Sequence, residues 1–422
     1  MTQRDTNVWA WQFSPMDTWF FREAKPIEAA TGQAAQSLFP PTPFTVAGAV
    51  RGVIKQLGVS EAELTQTFED MHLRGVYVYQ KGERLYPVPA SILKGKDGLR
   101  HLSPLPALAV QTDKDLLHLP VMERAQEGGA KAIEGGWLST ASFARALVDA
   151  PLVSSEVINS PNLYTTQARL GIARVPDQRV ADEGLLYQVE HLRLQAGVTV
   201  QLFTSGLSTQ VQAALDKAGG QYLVRFGGEG RMASVSVRRC EDGRPHLLPV
   251  PDQDVFAHKN GLRIVFTTPL LYRNGSDDPK RQTNGEPERH GDWTQCTPFI
   301  RRAMDGVACW HTELQTRDPR GPIRLRIRSA VQQRLQMEGT WDFQKPLVRV
   351  KNSDDKLLKK TPRGSASYLP AGTTWFCELM APDGSTVITG AAALHRAAER
   401  LHGLQLGAQR DMGRGEMAVG CW

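Results

Sequence analysis

Two glycine-rich turns with arginines beside them are the first places in this chain where residue type and spacing could do chemistry. The first turn reads Phe-Gly-Gly-Glu-Gly-Arg over Phe226–Arg231, and the second lies near the end of the chain. Backbone amides beside glycine can approach a phosphate closely, and a guanidinium matches two phosphate oxygens at once. The two turns therefore predict phosphate contacts, with these candidates: Arg231, Gly407, Arg410, Gly413, Arg414 and Gly415.

The same glycines also fit a purely structural role. Glycine adopts positive φ without strain, so each turn can serve only as a tight connection into the strand that follows it. The structural role is the more common one for such a turn, and finding a turn of this kind at corresponding places in two halves of the chain narrows its advantage over the phosphate interpretation. The sequence leaves both interpretations open.

Each glycine-rich turn closes a half of the chain that opens in the same way. A short apolar strand runs into a proline, an aromatic residue and an arginine, first over Trp11–Arg22 and again over Ile264–Arg273. Repetition at this distance indicates two related domains rather than one large core. We predict an α+β protein with residues 1–242 and 243–422 as two ferredoxin-like (RRM-like, split βαβ) domains that carry insertions and glycine-rich loops.

Three helices are predicted from apolar residues at helical spacing. The first is expected to start with Thr45 as its cap, and its polar face presents Arg51, which either faces solvent or meets a ligand. The second begins at Ser208 and the third covers Ala391–His402. Each of the last two helices leads towards the glycine-rich turn of its half, as the split βαβ arrangement requires.

Two further sets of side chains are candidates for contact with nucleic acid. Alternation over residues 323–328 predicts a strand with one basic face, which acidic neighbours could cancel: Arg324, Arg326 and Arg328. Aromatic side chains could stack on unpaired bases, although most aromatic residues in strands belong to the core. The aromatic candidates are Trp19, Phe20, Phe21, Tyr77 and Tyr86.

The composition narrows the class of protein. The chain has 422 residues, of which 41% are hydrophobic and 22% charged, values typical of a globular protein with more than one core. No apolar stretch approaches the roughly 20 residues of a membrane span, and the N-terminus lacks the pattern of a signal peptide. We therefore expect a cytoplasmic protein that contacts no membrane. The net charge of +6 suits a polyanionic partner without singling one out.

No residue pattern indicates a metal, a cofactor or a catalytic centre. The five cysteines contain no Cys-x-x-Cys pair, and the ten histidines show no metal-ligand spacing. Nucleotidyl transfer would need clustered carboxylates, whereas Glu229 and Asp411 stand alone. Acid–base cleavage of RNA would need a histidine near the basic surface. We expect no cofactor, no bound metal and no catalysis.

Taken together, several segments resemble a known family. They follow one another along the chain as Trp19–Pro26, Ser37–Arg51, Tyr86–Ala90, Gly135–Leu138, Arg169–Ile172, Gly184–Tyr187, Gly227–Arg231 and Leu369–Gly372. In this order they resemble the third-subunit family of the Cmr complex, a type III-B CRISPR effector, within the RAMP superfamily. Residues 91–133 and much of 273–367 lie outside the resemblance and are expected to be insertions.

The motifs depart from the family pattern at two places. Glu23-Ala24-Lys25 stands where the family tends towards Asp-Gly-Arg, and Gly407-Ala408-Gln409-Arg410 stands where Gly-Glu-Arg is usual. Both changes keep the basic residue.

The resemblance implies a non-catalytic subunit that grips the repeat-derived 5′ tag of the CRISPR RNA inside a ribonucleoprotein of antiviral defence. Its partners would be the CRISPR RNA, the large polymerase-like subunit and the backbone subunits of the Cmr complex. Single-stranded RNA on such a surface is held by phosphate contacts and stacking. Carried over residue by residue, the resemblance places these residues at the RNA surface: Arg22, Lys25, Arg51, Gly407, Arg410 and Arg414.

Two other classes of function stay open on the sequence. One is a metal-independent endoribonuclease of the same superfamily that cleaves CRISPR repeats. The other is a protein-interaction module whose basic surface meets an acidic partner. Specific cleavage of repeat RNA without metal ions would identify the first, and failure to bind tagged RNA would favour the second.

Overall fold

The computed structural model describes residues 7–24, 34–112, 115–122, 129–174, 181–240, 248–271, 289–290, 293–294, 300–302, 308–310, 313–316, 321–339, 348–349, 358–359, 366–407 and 409–422. Strands make up most of this part of the chain and α-helices are few, so the protein belongs to the mixed α/β class. None of the helices in these ranges is long and apolar enough to cross a membrane.

The helices are short and separated by long stretches of strand. They are α1 Pro43–Gln56, α2 Glu61–Asp70, α3 Thr140–Leu147, α4 Thr209–Lys217 and α5 Ala391–Leu401, with 3-10 turns at Ser154–Glu156, Ser160–Asn162 and Gln253–Phe256.

The strands follow in two groups. Before residue 250 they are β1 Val8–Pro15, β2 Ala34–Ala35, β3 His72–Gln80, β4 Glu83–Pro87, β5 Ile92–Gly95, β6 Gly98–Thr112, β7 Asp115–Met122, β8 Lys131–Ala132, β9 Trp137–Leu138, β10 Tyr164–Arg174, β11 Ala181–Leu194, β12 Val198–Ser205, β13 Gln221–Arg225 and β14 Met232–Cys240. After it they are β15 Leu262–Phe266, β16 Arg289–His290, β17 Trp293–Thr294, β18 Ile300–Arg302, β19 Ala308–Trp310, β20 Glu313–Thr316, β21 Arg324–Val331, β22 Gln336–Glu338, β23 Val348–Arg349, β24 Leu358–Lys359, β25 Ala366–Tyr368, β26 Thr374–Met380, β27 Val387–Ile388, β28 Met412–Gly413 and β29 Met417–Cys421.

The first of two compact units comprises Met1–Tyr79, Leu163–Gly243 and Leu335–Tyr368. In unit 1 the strand order is β13-β14-β1-β12-β3, and β1 runs antiparallel to both β14 and β12. The first and last long strands of the unit are therefore neighbours. A separate hairpin, β10–β11, extends over 11 and 14 residues, and β2 pairs parallel to β11.

The core of unit 1 joins the first strand to the glycine-rich turn. The rings of Phe13 and Phe226 stack with centroids 4.8 Å apart, and Trp19 meets Phe226 edge-on at 4.9 Å. All three side chains are fully buried. Because Phe226 immediately precedes the turn, this packing fixes where the turn begins.

The second unit comprises Gln80–Asn162, Arg244–Arg334 and Leu369–Trp422. Its largest sheet has the order β16-β17-β20-β21-β26-β15-β29, with β15 antiparallel to β26 and β29. Helix α5 buries Leu394, Ala398 and Leu401 in a core that includes Ile264 and Trp375. In unit 2 as well, the first and last strands of the half lie side by side.

The predicted helices are present, with one shift at a start. Helix α4 has Ser208 as its N-cap, and α5 spans Ala391–Leu401. For α1 the expected cap Thr45 is wrong: the side chain of Thr42 accepts a hydrogen bond from the Thr45 amide and the helix begins at Pro43. Proline suits the first turn of a helix, since its missing amide proton has no partner there and its φ is already helical.

The two units are not contiguous in sequence. Residues 80–162 lie in unit 2 and residues 335–368 in unit 1, whereas the predicted division assigns each to the other domain. The chain also passes from unit 1 to unit 2 between Gly243 and Arg244, next to the predicted boundary. The contiguous domains 1–242 and 243–422 stay a prediction. Within residues 91–133, strands pair in the order β7-β6-β5-β8 as a small sheet.

Candidate nucleic-acid interface

Three arginines converge on one carboxylate in unit 1, and we call this group the Asp17 cluster. Asp17 Oδ1 accepts a hydrogen bond from Arg193 Nη2 at 2.9 Å, and Oδ2 lies 3.3 Å from Arg169 Nη2 and 3.4 Å from Arg231 Nη1. Between 26% and 47% of each of the four side chains is exposed. Three positive charges face one negative charge, so the cluster is an accessible site with excess positive charge.

The β10–β11 hairpin supplies two of the three arginines from one face. Residues of the two strands stand opposite each other as Thr165↔Arg193, Gln167↔His191 and Arg169↔Val189. Side chains alternate between the faces of a strand, so residues two apart lie on the same face. The face that carries Arg169 and Arg193 therefore also carries Thr165, Gln167 and His191.

Backbone pairing holds the segment after β1 against this hairpin. The Trp19 amide donates to Leu192 O at 2.9 Å, and the Leu192 amide donates back to Trp19 O at 2.7 Å. This exchange sets Asp17, two residues earlier, beside the β11 strand.

The glycine-rich turn of unit 1 lies against the same segment. The Gly228 amide donates to Phe20 O at 2.8 Å, and a Cβ atom on Gly227 would collide with that same carbonyl oxygen. Gly227 has a φ of +85° and Gly230 one of +64°, a region that glycine enters without strain. The backbone conformation of the turn requires these glycines, and this conformation places Arg231 in the Asp17 cluster.

His191 is a buried residue that contacts the segment carrying Asp17. It is 1% exposed, its Nδ1 atom lies 3.0 Å from Thr18 Oγ1, and its ring stacks on Phe20 with centroids 5.5 Å apart. Burial, followed by the charges of Arg231 and Arg169, lowers the pKa of His191 to about 4. The imidazole is thus neutral at pH 7 and positions Thr18, the neighbour of Asp17.

Asp17 is ionised across the physiological pH range. Partial desolvation alone would raise its pKa, but hydrogen bonds and charge from Arg169 and Arg193 outweigh that effect and hold the pKa below its ordinary value. The carboxylate therefore keeps the three guanidiniums together, since without it their like charges would repel one another.

The RNA-contact residues that the sequence predicts in unit 1 do not all belong to the Asp17 cluster. Arg231 belongs to the cluster. Arg22 is exposed, and its backbone forms a bridge with Ser37. Arg51 lies on α1, where its guanidinium is 3.5 Å from Glu61 and 5.6 Å from the Phe68 ring centroid. Lys25 lies outside the described residues.

The glycine-rich loop of unit 2 is tightly packed. Gly407, Gly413 and Gly415 are all buried. A Cβ atom on Gly407 would lie 2.5 Å from Leu270 Cδ1, and one on Gly415 would collide with the Leu406 carbonyl oxygen. The amides of Gly413 and Gly415 already donate to backbone carbonyls, at 2.9 and 3.1 Å. In this conformation those two amides are committed to the fold and do not face outward towards a phosphate.

The two arginines of that loop differ in exposure. Arg410 is partly exposed, and its carbonyl oxygen accepts hydrogen bonds from Gln405 Nε2 and from the Gly413 amide. Arg414 has no exposed surface. A phosphate could reach the Arg414 guanidinium only after a rearrangement of this conformation.

The basic face predicted near residue 325 exists, but acidic side chains accompany it. Strand β21 buries Leu325 and Ile327 and leaves its arginines partly exposed. Arg328 Nε lies 2.8 Å from Glu378 Oε2, and the register sets Arg326 opposite Glu378. This ion pairing reduces the attraction for a polyanion.

The predicted aromatic candidates all belong to the core. None of the five is more than 5% exposed: Trp19, Phe20, Phe21, Tyr77 and Tyr86. They pack the fold and offer no face for a base to stack upon.

Sequence reasoning did not identify Asp17, Arg193 and His191 as a site, and it noted Arg169 only inside a motif. The contacts of Asp17 reach residues 152, 176 and 214 positions away, so no local spacing reveals them. The one usable signal is the row of polar residues Thr165, Gln167 and Arg169 at every second position of β10, which marks a face that is not entirely core. Within the described ranges, no group of three or more histidine, cysteine or acidic side chains could hold a metal ion.

Comparison with known proteins supplies a family. The family model described as CRISPR-associated protein (Cas_Cmr3) matches residues 11–422. A curated relative, the CRISPR system CMR subunit Cmr3 of Saccharolobus solfataricus, is 26% identical over 231 residues, which are 53% of this chain and 61% of the relative. The match thus covers about three fifths of that relative's length.

Similar chains occur in solved structures of CRISPR complexes. One is in the type III-B Cmr-beta complex bound to cognate target RNA, with a TM-score of 0.43, 14% identity, and coverage of 87% of this chain and 86% of that chain. Another is in the Csm3–Csm4 subcomplex of a type III-A complex, with a TM-score of 0.33, 9% identity, and coverage of 88% and 93%. The family assignment rests on the family model, which spans nearly the whole sequence. The chain belongs to the Cmr3 family of CRISPR-associated proteins, subunits of the Cmr (type III-B) complex.

Proposed function

We propose that the chain is a non-catalytic RNA-binding subunit of a type III-B Cmr ribonucleoprotein. It grips the 5′ repeat-derived tag of the CRISPR RNA and docks the large polymerase-like subunit and a backbone subunit of the complex. The observation that carries the RNA contact is the Asp17 cluster, in which guanidiniums from β10, β11 and the glycine-rich turn meet at one exposed position.

The chemistry of the cluster suits a phosphodiester backbone. Guanidinium forks bind phosphate oxygens in pairs, and such contacts hold a strand without reading its bases. Arg231 also keeps a buried Nε donor without a hydrogen-bond partner in the described part of the chain. Because this Nε atom is buried, a phosphate would reach Arg231 through its Nη atoms.

The strand orders support a ferredoxin-like arrangement for both halves. In unit 1 the order β14-β1-β12-β3 places β1 between two later strands, and in unit 2 the order β29-β15-β26-β21 does the same for β15. The split βαβ fold has this property, because its two βαβ motifs interleave and a strand of the second motif lies between the two strands of the first motif. We therefore propose two related ferredoxin-like halves.

The cluster is not equipped for acid–base cleavage. His191, the histidine beside it, is 1% exposed and has a pKa of about 4. A general base must reach the proton it removes and must titrate near the working pH. His191 satisfies neither condition, which favours binding over cleavage.

The test is the salt dependence of RNA binding by the full chain. A filter-binding assay with tagged RNA compares Arg169→Ala/Arg193→Ala with Arg225→Ala/Arg238→Ala, which removes the same charge from exposed positions on β13 and β14. Each lost phosphate contact lowers the log–log slope by about 0.7 on single strands, so the cluster variant is expected to lose about 1.4. The control variant should keep most of the wild-type slope.

Three results would contradict the proposal. Equal slopes for the two double variants would remove the cluster from the interface. Specific cleavage of repeat RNA by the wild type without metal would identify an endoribonuclease. Failure of the wild type to bind tagged RNA, alone and in a reconstituted particle, would leave a protein-interaction module.

A further inference from the structure

The carboxylate at the centre of the arginine cluster requires an explanation beyond phosphate binding. Asp17 holds the three guanidiniums together, but its negative charge also repels a phosphate bound beside it. Asp17 is nevertheless ionised, because Arg169 and Arg193 hold its pKa down, and 47% of its side chain is exposed. An accessible carboxylate in this position can accept a hydrogen bond from a donor group of the ligand.

Asp17 has the acceptor capacity for such a donor. An ionised carboxylate offers about four lone-pair directions on two oxygens. Oδ2 is shared by Arg169, Arg231 and the Thr18 hydroxyl at 3.3, 3.4 and 3.5 Å, whereas Oδ1 receives Arg193 at 2.9 Å. Because Oδ1 receives one of these four donors and the carboxylate is about half exposed, a ligand donor can be added at Oδ1 without breaking the cluster.

We propose that Asp17 accepts a hydrogen bond from the ribose 2′-hydroxyl beside a phosphate bound by the arginines, so that the cluster distinguishes RNA from DNA. This inference rests on the proposed function of the site. The 2′-hydroxyl is the donor nearest to a backbone phosphate, it is present on every nucleotide of RNA, and DNA lacks it. Thr165 and Gln167 lie on the same face of the hairpin and add neutral polar groups beside the sugar.

The test compares sugars on one tag sequence. Binding of the full chain is measured with RNA, with the 2′-deoxy strand and with the 2′-fluoro strand, which has no hydroxyl donor. The variants are Asp17→Ala and, as a matched loss of an exposed carboxylate elsewhere in unit 1, Asp216→Ala on α4. A hydrogen bond to a charged acceptor corresponds to about a tenfold preference for RNA over either analogue.

The expected result is a preference that depends on Asp17. Wild type and Asp216→Ala should bind RNA about tenfold more tightly than both analogues, and Asp17→Ala should reduce that ratio to about twofold or less. The ratio of the affinity for RNA to the affinity for each analogue is informative even if Asp17→Ala disorders the arginines. Weaker phosphate binding by the arginines would lower the affinity for all three strands equally.

The outcomes separate this inference from the proposed function. If Arg169→Ala/Arg193→Ala weakens binding but the sugar ratio is the same in wild type and Asp17→Ala, Asp17 only organises the arginines and the inference is wrong. If wild type binds the three strands equally while base substitutions in the tag change affinity through Asp17, the donor belongs to a base and the sugar assignment is overturned. If the arginine variant binds like wild type, the proposed function itself fails.

Discussion

Replacing His191 by glutamine should remove the part of the acid sensitivity of unit 1 that this buried histidine causes. The folded protein holds the pKa of His191 at about 4, below the ordinary value of 6.5, because the ring is buried beside two arginines. As pH falls, the unfolded chain therefore takes up a proton before the folded chain does. The contribution of the neutral His191 to the free energy of unfolding is fully present above about pH 6.5 and is lost as the pH falls towards 4.

The size of this effect follows from the two pKa values. With pKa values of 6.5 unfolded and about 4 folded, lowering the pH from 7 to 5 reduces the free energy of unfolding by about 2 kcal/mol. Glutamine cannot take up a proton in this range, so His191→Gln should lose that part of the pH dependence whatever its stability at pH 7.

Urea denaturation at pH 7 and pH 5 measures the difference directly. The matched control is His72→Gln, which makes the same substitution at an exposed position at the start of β3. If His191→Gln and wild type lose the same free energy between the two pH values, His191 is not held neutral by its surroundings and the account of the cluster's support is wrong.

Two further predictions concern positions that the fold constrains. Gly227→Ala should destabilise unit 1 by several kcal/mol, because its Cβ would collide with a carbonyl oxygen, whereas Gly230→Ala, with positive φ but open space, should cost about 1 kcal/mol; equal losses in thermal denaturation would contradict this. Glu416→Ala leaves the guanidinium of Arg84, 3.0 Å away and 6% exposed, without its carboxylate, and should cost about 3–5 kcal/mol. Lys55→Ala, which removes an exposed ion pair, should cost less than about 1 kcal/mol, so similar losses in urea denaturation would refute the comparison.

Much of the fold could be predicted from local signals. Ser208 starts α4 because its hydroxyl accepts from the Val211 amide, and that chemistry is visible in three residues of sequence. The strand at Leu262–Phe266 and the alternation of β21 likewise follow from short patterns. The sequence prediction placed the start of α1 three residues too late. Thr42 and Thr45 can both cap a helix, and Pro43, which suits the first turn, follows Thr42.

The candidate site could be predicted only in part. Arg231 was found because a glycine-rich turn has a local signature. Arg193 and Asp17 meet through strand pairing across 176 positions, which residue spacing does not encode. Arg414 has the same local signature as Arg231 but is buried, since exposure depends on what packs around a turn and not on the turn itself.

Crosslinking of a reconstituted Cmr particle would locate the CRISPR RNA on this chain. A CRISPR RNA with photoreactive nucleotides in its 5′ tag is irradiated in the complex, and the crosslinked peptides are identified by mass spectrometry. If the Asp17 cluster binds the tag, crosslinks are expected on peptides that contain Asp17, Arg169, Arg193 or Arg231. Crosslinks that map only to other subunits, or only to parts of this chain away from the Asp17 cluster, would contradict this binding.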